Sequence, residues 1–401
     1  MSQVYIYDAI RSARTRAKPD GGLASLTPIQ LMAGLYEHIK TRNTLDPQLV
    51  EEVALGCVTQ AGEQGANIAK TSLMAAGWPQ CIPGITVHRF CSSGLDAVNI
   101  AAMKIWANQA KVTLGGGIEM MSRVPMLSDK ATAFTDPEFA AKHHFLLMGS
   151  GADFIATRYG FSRDALDEVA FKSQQNSAAA QAQGRFTSIV PILDAINNRW
   201  IDQDECIRAG TTRESLAAMP PAFEALGQAG ADAIQSRAYP QFQTIMHGHT
   251  AGNSPAMCDG AALVLLGTEE LAESLGHSPK ARILDTLSVC DEPLEVVSGC
   301  VNAVAKLMHK HGLSTDDIDL FEIHEAFAAT SLRAQQQLQI NDDKFNVNGG
   351  CIALGHPMGA TGAMLLGTLL DELTLRNQTL GIVATSGAAG TGTAMLLERC
   401  A

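Results

Sequence analysis

Apolar residues recur along the chain in two spacings, short strand-like runs and longer runs with a helical repeat. The segment ITVHRFCSSGLDAVNIAAMKIW at 85–106 joins the two, because its β-branched run ITV leads through a turn into helical spacing. One apolar face of the predicted helix is formed by Leu95, Val98, Ala102 and Ile105. Cys91 therefore lies where a predicted strand meets the N-terminus of a predicted helix.

Two interpretations of Cys91 carry equal weight on spacing alone. Unpaired N–H groups and the positive end of a helix dipole stabilise a thiolate, which is the setting of a nucleophile. A free cysteine is also commonly a small buried side chain that packs at the start of a helix.

Strand-like and helical segments alternate along the rest of the chain, as in VYIYDAI, PIQLMAGLYEHI, VEEVALGCVTQ, ANIAKTSLMAAG and VTLGGG. Such alternation predicts an α/β fold with a largely parallel sheet. A similar order of strand, glycine-rich turn and small-residue helix begins again near residue 281, which predicts an internal duplication.

Residues 126–248 have a different character, since His, Met, Gln and loop signals are frequent and buried strands are few. This segment is predicted to be an insertion that lies over the first sheet and builds a substrate pocket. The predicted domains are therefore an N-terminal domain of residues 1–125 with 249–280, a loop domain of residues 126–248, and a C-terminal domain of residues 281–401.

Composition narrows the classes of function. The net charge of −12 argues against nucleic acid as the main partner, although four arginines of the predicted loop domain are candidates for phosphate contacts: Arg158, Arg185, Arg208 and Arg213. The nine cysteines are scattered without a C-x-x-C, so neither a disulfide framework nor a zinc site is indicated. With no apolar signal core and no apolar run long enough to span a membrane, we expect a cytoplasmic protein.

Four polar side chains fall on sharp turns at the ends of apolar strands: Cys91, His324, His356 and Ser386. A thiol nucleophile needs a base, usually His, and His356 in ALGHPMGATG is flanked by small residues that leave its ring open. The segment HEAFA at 324–328 lacks the second His of the zinc-protease motif, and a P-loop and a G-x-S-x-G elbow are also lacking. The chemistry that remains is acyl transfer at a Cys/His site, with backbone N–H groups of the glycine-rich turns as oxyanion donors.

The chain resembles the thiolases, the acyl-CoA:acetyl-CoA C-acyltransferases, over essentially its whole length. The matching motifs are RFCSSGL at 89–95, GGGIEMMSRVP at 115–125, TAGNSPAMCDGAA at 250–262, HEAFA at 324–328 and NVNGGCIALGHPMGATG at 346–362. The resemblance implies a duplicated fold, a five-layer α/β/α/β/α sandwich with an inserted loop domain that contacts coenzyme A.

The resemblance also implies roles for individual residues. Cys91 would be acylated, His356 would take its proton, and His324 would replace an asparagine that holds an oxyanion-hole water. Backbone N–H groups at Cys91 and near Ala388 would form a second oxyanion hole. The remaining pocket residues implied are Gly387, Met148 and Met120, and the coenzyme A contacts are Arg208, Ser254, Ala251 and Phe327.

Coenzyme A would be a substrate, with no tightly bound cofactor and no metal. We expect a homodimer or homotetramer, and the HEAFA motif resembles thiolases that act beside a multifunctional subunit of fatty-acid β-oxidation. Acyl chain length and physiological direction are not fixed by the sequence.

One departure from the family pattern concerns the C-terminal hairpin, where the family's C-x-G-G-G-x-G reads SGAAGTG from Ser386. In the family this Cys moves the α-proton of acetyl-CoA, and a serine hydroxyl is a poor acid or base at neutral pH. Either the serine is an engineered substitution that traps an intermediate, or the natural protein mainly transfers or hydrolyses acyl groups. Two smaller departures are His88 for Asn and Gln174 for His.

Three hypotheses follow from these residues. The first, which we favour, is a thiolase that cleaves 3-ketoacyl-CoA with coenzyme A or runs the reverse condensation. The second is an acyl-CoA acyltransferase or hydrolase without carbon–carbon chemistry. The third is a non-catalytic acyl-CoA carrier within a β-oxidation complex, against which the Cys91/His356 pair argues.

Overall fold

The computed structural model describes residues 2–400, and its strands and helices follow the predicted alternation. The strands are β1 Val4–Arg11, β2 Thr15–Arg16, β3 Glu52–Gly56, β4 Gly84–Val87, β5 Val112–Met120, β6 Ile192–Asp194, β7 Arg199–Ile201, β8 Cys258–Gly267, β9 Ala281–Cys290, β10 Leu320–Ile323, β11 Leu380–Ser386 and β12 Thr391–Arg399. The helices are α1 Pro28–Asn43, α2 Ile68–Ala75, α3 Ser93–Trp106, α4 Pro137–His143, α5 Met148–Tyr159, α6 Arg163–Ala182, α7 Arg213–Ala217, α8 Glu224–Leu226, α9 Asp232–Ala238, α10 Leu271–Leu275, α11 Gly299–His311, α12 Ala328–Leu338, α13 Cys351–Leu354 and α14 Met358–Leu375.

Ten strands form one sheet in the order β10-β11-β12-β9-β1-β8-β5-β3-β4, with β2 paired to β8. Among residues 2–400 the only parallel strand pairs of this sheet are β3–β4, β3–β5 and β10–β11, so the prediction of a largely parallel sheet is wrong. The reason is connectivity, since β12 follows β11 through a tight hairpin and β8 follows a long insertion rather than a crossover helix.

The sheet contains the same strand arrangement twice, as the repeated sequence pattern predicts. In the first half β3, β5, β8 and β1 lie side by side, with one parallel pair followed by two antiparallel pairs. In the second half β10, β11, β12 and β9 repeat that order and those directions. The halves join where β1 pairs antiparallel with β9, with Val4 opposite Ile283.

Helices lie in three layers around the two half-sheets. The α1 and α2 helices cover the outer face of the first half, and α11 covers that of the second. Between the halves, α3 packs on β3 and β5, while α14 contacts β5 on one side and β10 and β11 on the other. The result is the predicted α/β/α/β/α order of layers, and the predicted apolar face of α3 is fully buried in it.

The N-terminal ends of α3 and α14 touch because glycines leave room for the backbone. A Cβ on Gly94 would lie 2.6 Å from the Gly359 carbonyl oxygen, and one on Gly362 would lie 2.5 Å from the Leu95 nitrogen. Gly117 of β5 approaches the same Gly359 carbonyl. Since Cys91 precedes α3 and His356 precedes α14 by two residues each, this contact brings both side chains to one end of the middle layer.

Residues 126–248 hold α4 to α9 with the short β6–β7 ribbon, in line with the predicted scarcity of buried strands. Part of this segment contacts the first half-sheet directly, because Asp204 accepts two hydrogen bonds of 2.8 Å from Arg11 of β1. The domain boundaries at residues 125, 248 and 280 stay a prediction. Among residues 2–400, no helix is both long and apolar enough to cross a membrane.

We expect Gly117→Ala to destabilise the fold through the middle layer. The new Cβ would lie 2.0 Å from the Gly359 carbonyl oxygen, so β5 and α14 would have to separate, at a cost of about 1–3 kcal/mol or more. Urea denaturation measures the loss. Gly210→Ala is the matched control, since nothing lies within 4 Å of its Cβ position; equal midpoints for both variants would contradict the proposed close contact.

Candidate active site

The turn between β4 and α3 presents Cys91 at the head of the middle layer. Phe90 has a φ of 49°, a left-handed conformation that is unfavourable for a bulky residue. The turn is held by the Ser92 and Ser93 N–H groups, which donate to the carbonyls of Arg89 and Phe90 at 3.0 Å. Cys91 is half-buried and faces a small cavity.

This cavity brings together several of the predicted residues. Cys91, Met148 and Ala388 line it, together with His88 and Met358. The predictions that Met148 and Ala388 lie beside Cys91 therefore agree with the structure. The free space is about 30 Å³, which is room for one water but not for an acyl chain.

Local hydrogen bonds fix the orientation of the His356 ring between α13 and α14. The His356 N–H donates to the Ala256 carbonyl at 2.9 Å, and Nδ1 lies 2.7 Å from the Thr361 hydroxyl. With Nδ1 committed to Thr361, Nε2 is the ring nitrogen available to accept a proton.

His324 stacks beside His356, with ring centroids 4.3 Å apart. Its Nδ1 donates to the Ser386 carbonyl at 3.1 Å, while its buried Nε2 has no hydrogen-bond partner among residues 2–400. Burial lowers the pKa of His324 to about 4. Burial, His324 and the Arg14 guanidinium lower the pKa of His356 well below its usual value. Both rings are therefore neutral at pH 7 and able to accept a proton.

Cys91 differs from the expectation of a resting thiolate at a helix N-terminus. Burial raises the pKa of the Cys91 thiol to about 12, and the nearby Glu119 carboxylate adds to the rise. Glu119 is fixed there because it accepts hydrogen bonds from the Val58, Thr59 and Gly359 N–H groups. The nucleophile is therefore a neutral thiol until a base takes its proton.

The β11–β12 hairpin tip lies against the Cys91 turn, since a Cβ on Gly387 would be 2.9 Å from the Phe90 Cβ. The Gly387 N–H donates to the Thr391 carbonyl at 2.8 Å, so it closes the hairpin and is not free to act as an oxyanion donor. The Ala388 N–H donates to no protein acceptor among residues 2–400, and Ala388 is one of the residues that line the cavity. Ala388 therefore lies beside Cys91 with its N–H unused, and its role as an oxyanion donor stays a prediction; Gly387, predicted as a pocket residue, does not line the cavity.

The Ser386 hydroxyl faces α11 rather than the Cys91 cavity. Its Oγ accepts a 2.9 Å hydrogen bond from the Cys300 N–H, and the side chain is fully buried. Met120 is also misplaced by the pocket prediction, because it packs in the core under α1 and does not line the cavity. Its position at the end of β5, on the face opposite α3, explains the difference.

Three of the four predicted coenzyme A contacts lie together. Phe327 packs edge-on against His249 at 5.5 Å, and the next residue, Ala328, donates its N–H to the Asn253 carbonyl. This places Phe327 beside the loop that carries Ala251 and Ser254. Ala251 is exposed, and the buried Ser254 hydroxyl has no partner among residues 2–400.

Arg208, the fourth, is exposed on the loop before α7, where its backbone N–H donates to Gln174. The other arginines considered for phosphate contacts are engaged in ion pairs, Arg158 with Glu295, Arg185 with Glu372 and Arg213 with Glu168. Arg208 has no carboxylate within ion-pair distance among the described residues, so its guanidinium is available to an anion.

Sequence reasoning missed Cys351. One ligand atom each of His324, Cys351 and His356 lie within 4.8 Å of one another. Cys351 is fully buried at the start of α13, and the buried Arg14 guanidinium acts on the same three side chains. A cysteine five residues before His356 in a glycine-rich motif was the available signal, but only the fold shows that it faces both histidines.

We expect alkylation of Cys91 by iodoacetamide to be slow at pH 7 and to rise about tenfold per pH unit through the alkaline range. The reason is that the thiolate fraction grows tenfold per unit below a raised pKa. Peptide mass spectrometry measures the rate at Cys91 against the exposed Cys290 in the same sample. A rate at Cys91 that is fast and flat from pH 6 to pH 9 would show instead that the resting group is a thiolate.

Comparison with known proteins yields matches over the whole chain. The family models "Thiolase, N-terminal domain" and "Thiolase, C-terminal domain" match residues 4–236 and 277–399. The chain is 35% identical to a 3-ketoacyl-CoA thiolase of Bacillus subtilis and 37% identical to an acetyl-CoA acetyltransferase of Escherichia coli, each alignment covering 100% of both chains. A crystal structure of the Bacillus anthracis acetyl-CoA acetyltransferase matches with a TM-score of 0.86 and 33% identity, covering 100% of this chain and 99% of that one.

Proposed function

Because this chain belongs to the thiolase family, we propose that it cleaves 3-ketoacyl-CoA with coenzyme A, or condenses two acyl-CoAs in reverse. It is an enzyme of the acyltransferase class, as its relatives are. The observation that carries the proposal is the placement of Cys91 and the free Ala388 N–H in one cavity, with the neutral His356 at the same end of the middle layer.

The first step is attack by Cys91 on the C3 carbonyl of the substrate. His356 takes the thiol proton on Nε2, because Nδ1 is committed to Thr361. Negative charge then develops on the carbonyl oxygen, where the Cys91 and Ala388 N–H groups serve as oxyanion donors. Since burial raises the pKa of Cys91, we propose that the thiol proton moves to His356 as the sulfur attacks the carbonyl.

Bond cleavage between C2 and C3 leaves an acyl group on Cys91 and an enolate of acetyl-CoA. Coenzyme A then attacks the acyl-Cys91 thioester and releases the shortened acyl-CoA. Coenzyme A is thus a substrate, and the proposed scheme uses no tightly bound cofactor and no metal. We place its phosphates at Arg208 and its pantetheine arm along Ala251, Ser254 and Phe327. The reasons are that Arg208 and Ala251 are exposed and that the Ser254 hydroxyl has no partner among residues 2–400.

We expect purified protein to consume 3-ketoacyl-CoA only when coenzyme A is added, as followed by loss of enolate absorbance across a series of chain lengths. Cys91→Ala should lower turnover by several orders of magnitude, since no other thiol replaces the nucleophile. Mass spectrometry should find the acyl group on the peptide that contains Cys91. Folded wild-type protein that forms the Cys91 adduct but yields no cleavage would favour the acyltransferase or hydrolase alternative.

We also propose that the chain forms a homodimer through the edge of β4, and that this dimer is either the whole assembly or half of a homotetramer. The supporting observations are the unpaired edge of β4 and the exposure of Ile85 on it, with Met74 and Met103 exposed on the helices that pack against this strand.

Nine unpaired cysteines favour a reducing, cytoplasmic location. The HEAFA motif supports action beside a multifunctional β-oxidation subunit.

The dimer proposal predicts that Ile85→Asp shifts the protein to a monomer in light scattering coupled to gel filtration. A charge at this position would be buried without a partner in the interface. Trp200→Asp, at an exposed position on β7, is the control and should leave the mass unchanged. A wild-type protein that is monomeric at micromolar concentration would refute the proposal.

A further inference from the structure

Cleavage of the C2–C3 bond requires an acid that protonates C2, and the reverse condensation requires a base that removes a proton from C2. The Ser386 hydroxyl is poorly suited to this task. It is a weaker acid than a thiol, it accepts a hydrogen bond from the Cys300 N–H, and it faces α11. A separate group must therefore move the proton.

Cys351 is a thiol in a suitable place. Its Sγ lies within 4.8 Å of a ring nitrogen of each of His324 and His356. The His324 Nε2 is buried and has no partner among residues 2–400. Cys351 is also close enough to Cys91 for the two thiols to influence each other electrostatically.

We propose that Cys351 is the proton-transfer residue of the carbon–carbon step, a role that Ser386 does not fill. This inference rests on the proposed thiolase function. It extends that function by assigning the second thiol of the reaction to the α13 turn rather than to the β11–β12 hairpin.

The proton and electron balance closes without a further reactant. As Cys91 sulfur attacks C3, its proton moves to His356. The C2–C3 bond breaks with its electron pair on C2, and C2 takes the proton of the Cys351 thiol, which gives acetyl-CoA and a Cys351 thiolate beside protonated His356. When coenzyme A attacks acyl-Cys91, its thiol proton moves to Cys351, and the leaving Cys91 sulfur takes the proton back from His356.

The surroundings of Cys351 suit both directions. Burial raises the pKa of the Cys351 thiol to about 12, and the Arg14 guanidinium opposes the rise. The thiol therefore stays protonated until a carbanion forms at C2. Once deprotonated it is a strong base, which a carbon acid requires. The Arg14 NH1 and NH2 groups are buried and have no partner among residues 2–400, so their charge is not neutralised by an ion pair.

The test separates acyl transfer from carbon–carbon chemistry. Exchange of labelled coenzyme A into an acyl-CoA needs only Cys91 and His356, because His356 takes the Cys91 proton, gives it to the leaving coenzyme A sulfur and runs the same transfer in reverse, while Cys351 stays protonated. Thiolysis and exchange of the α-protons of acetyl-CoA in D2O also need the proton-transfer group Cys351. We expect Cys351→Ala and Cys351→Ser to slow thiolysis and α-proton exchange by about 100-fold or more, while labelled coenzyme A exchange stays near wild type. Cys290→Ala removes an exposed thiol as the matched control.

Thiolysis near wild type in Cys351→Ala would overturn the assignment, as would an equal loss of thiolysis and coenzyme A exchange. Wild-type protein that exchanges α-protons in a Cys351-dependent way without thiolysis would refute only the thiolase function. Wild-type protein with neither reaction would refute both.

Discussion

The contact between the first turns of α3 and α14 is the constraint on which the site depends. Backbone meets backbone there, with Gly94, Gly359 and Gly362 leaving no room for a side chain. Each helix follows a turn that carries one reacting side chain, Cys91 in one half and His356 in the other. The duplicated fold thus builds a single active site at the junction of its halves, and a separation of the middle layer would separate nucleophile and base.

Burial then sets the chemistry of the groups that this contact collects. The pKa of Cys91 is raised while those of His324 and His356 are lowered, so the free enzyme holds a neutral thiol beside two neutral rings. Arg14 and Glu119 are buried charges of opposite sign that flank the site, and the fold holds Glu119 with three backbone N–H donors. The arrangement delays charge formation until the substrate carbonyl reaches Cys91.

The consequence of Ser386 in place of the family's Cys depends on where the fold places Cys351. From the sequence, Ser386 indicated a lost acid or base and left weak carbon–carbon chemistry as one explanation. In the folded chain, the buried Cys351 thiol at the start of α13 lies beside His324 and His356. If that thiol carries the proton, Ser386 is a structural hydroxyl that accepts the N–H at the start of α11.

Local sequence patterns were enough to predict the alternation of strands and helices, the buried face of α3, the repeated halves and the turns that carry Cys91, His324 and His356. These features follow from local periodicity and from glycine-rich motifs, which act over a few residues. Four features became clear only from the folded chain: the sheet is mixed, the Gly387 N–H is used within the hairpin, Met120 packs in the core, and Cys351 lies beside His324 and His356. Those outcomes depend on burial and on which turns and strands pack against one another, and local spacing does not encode those contacts.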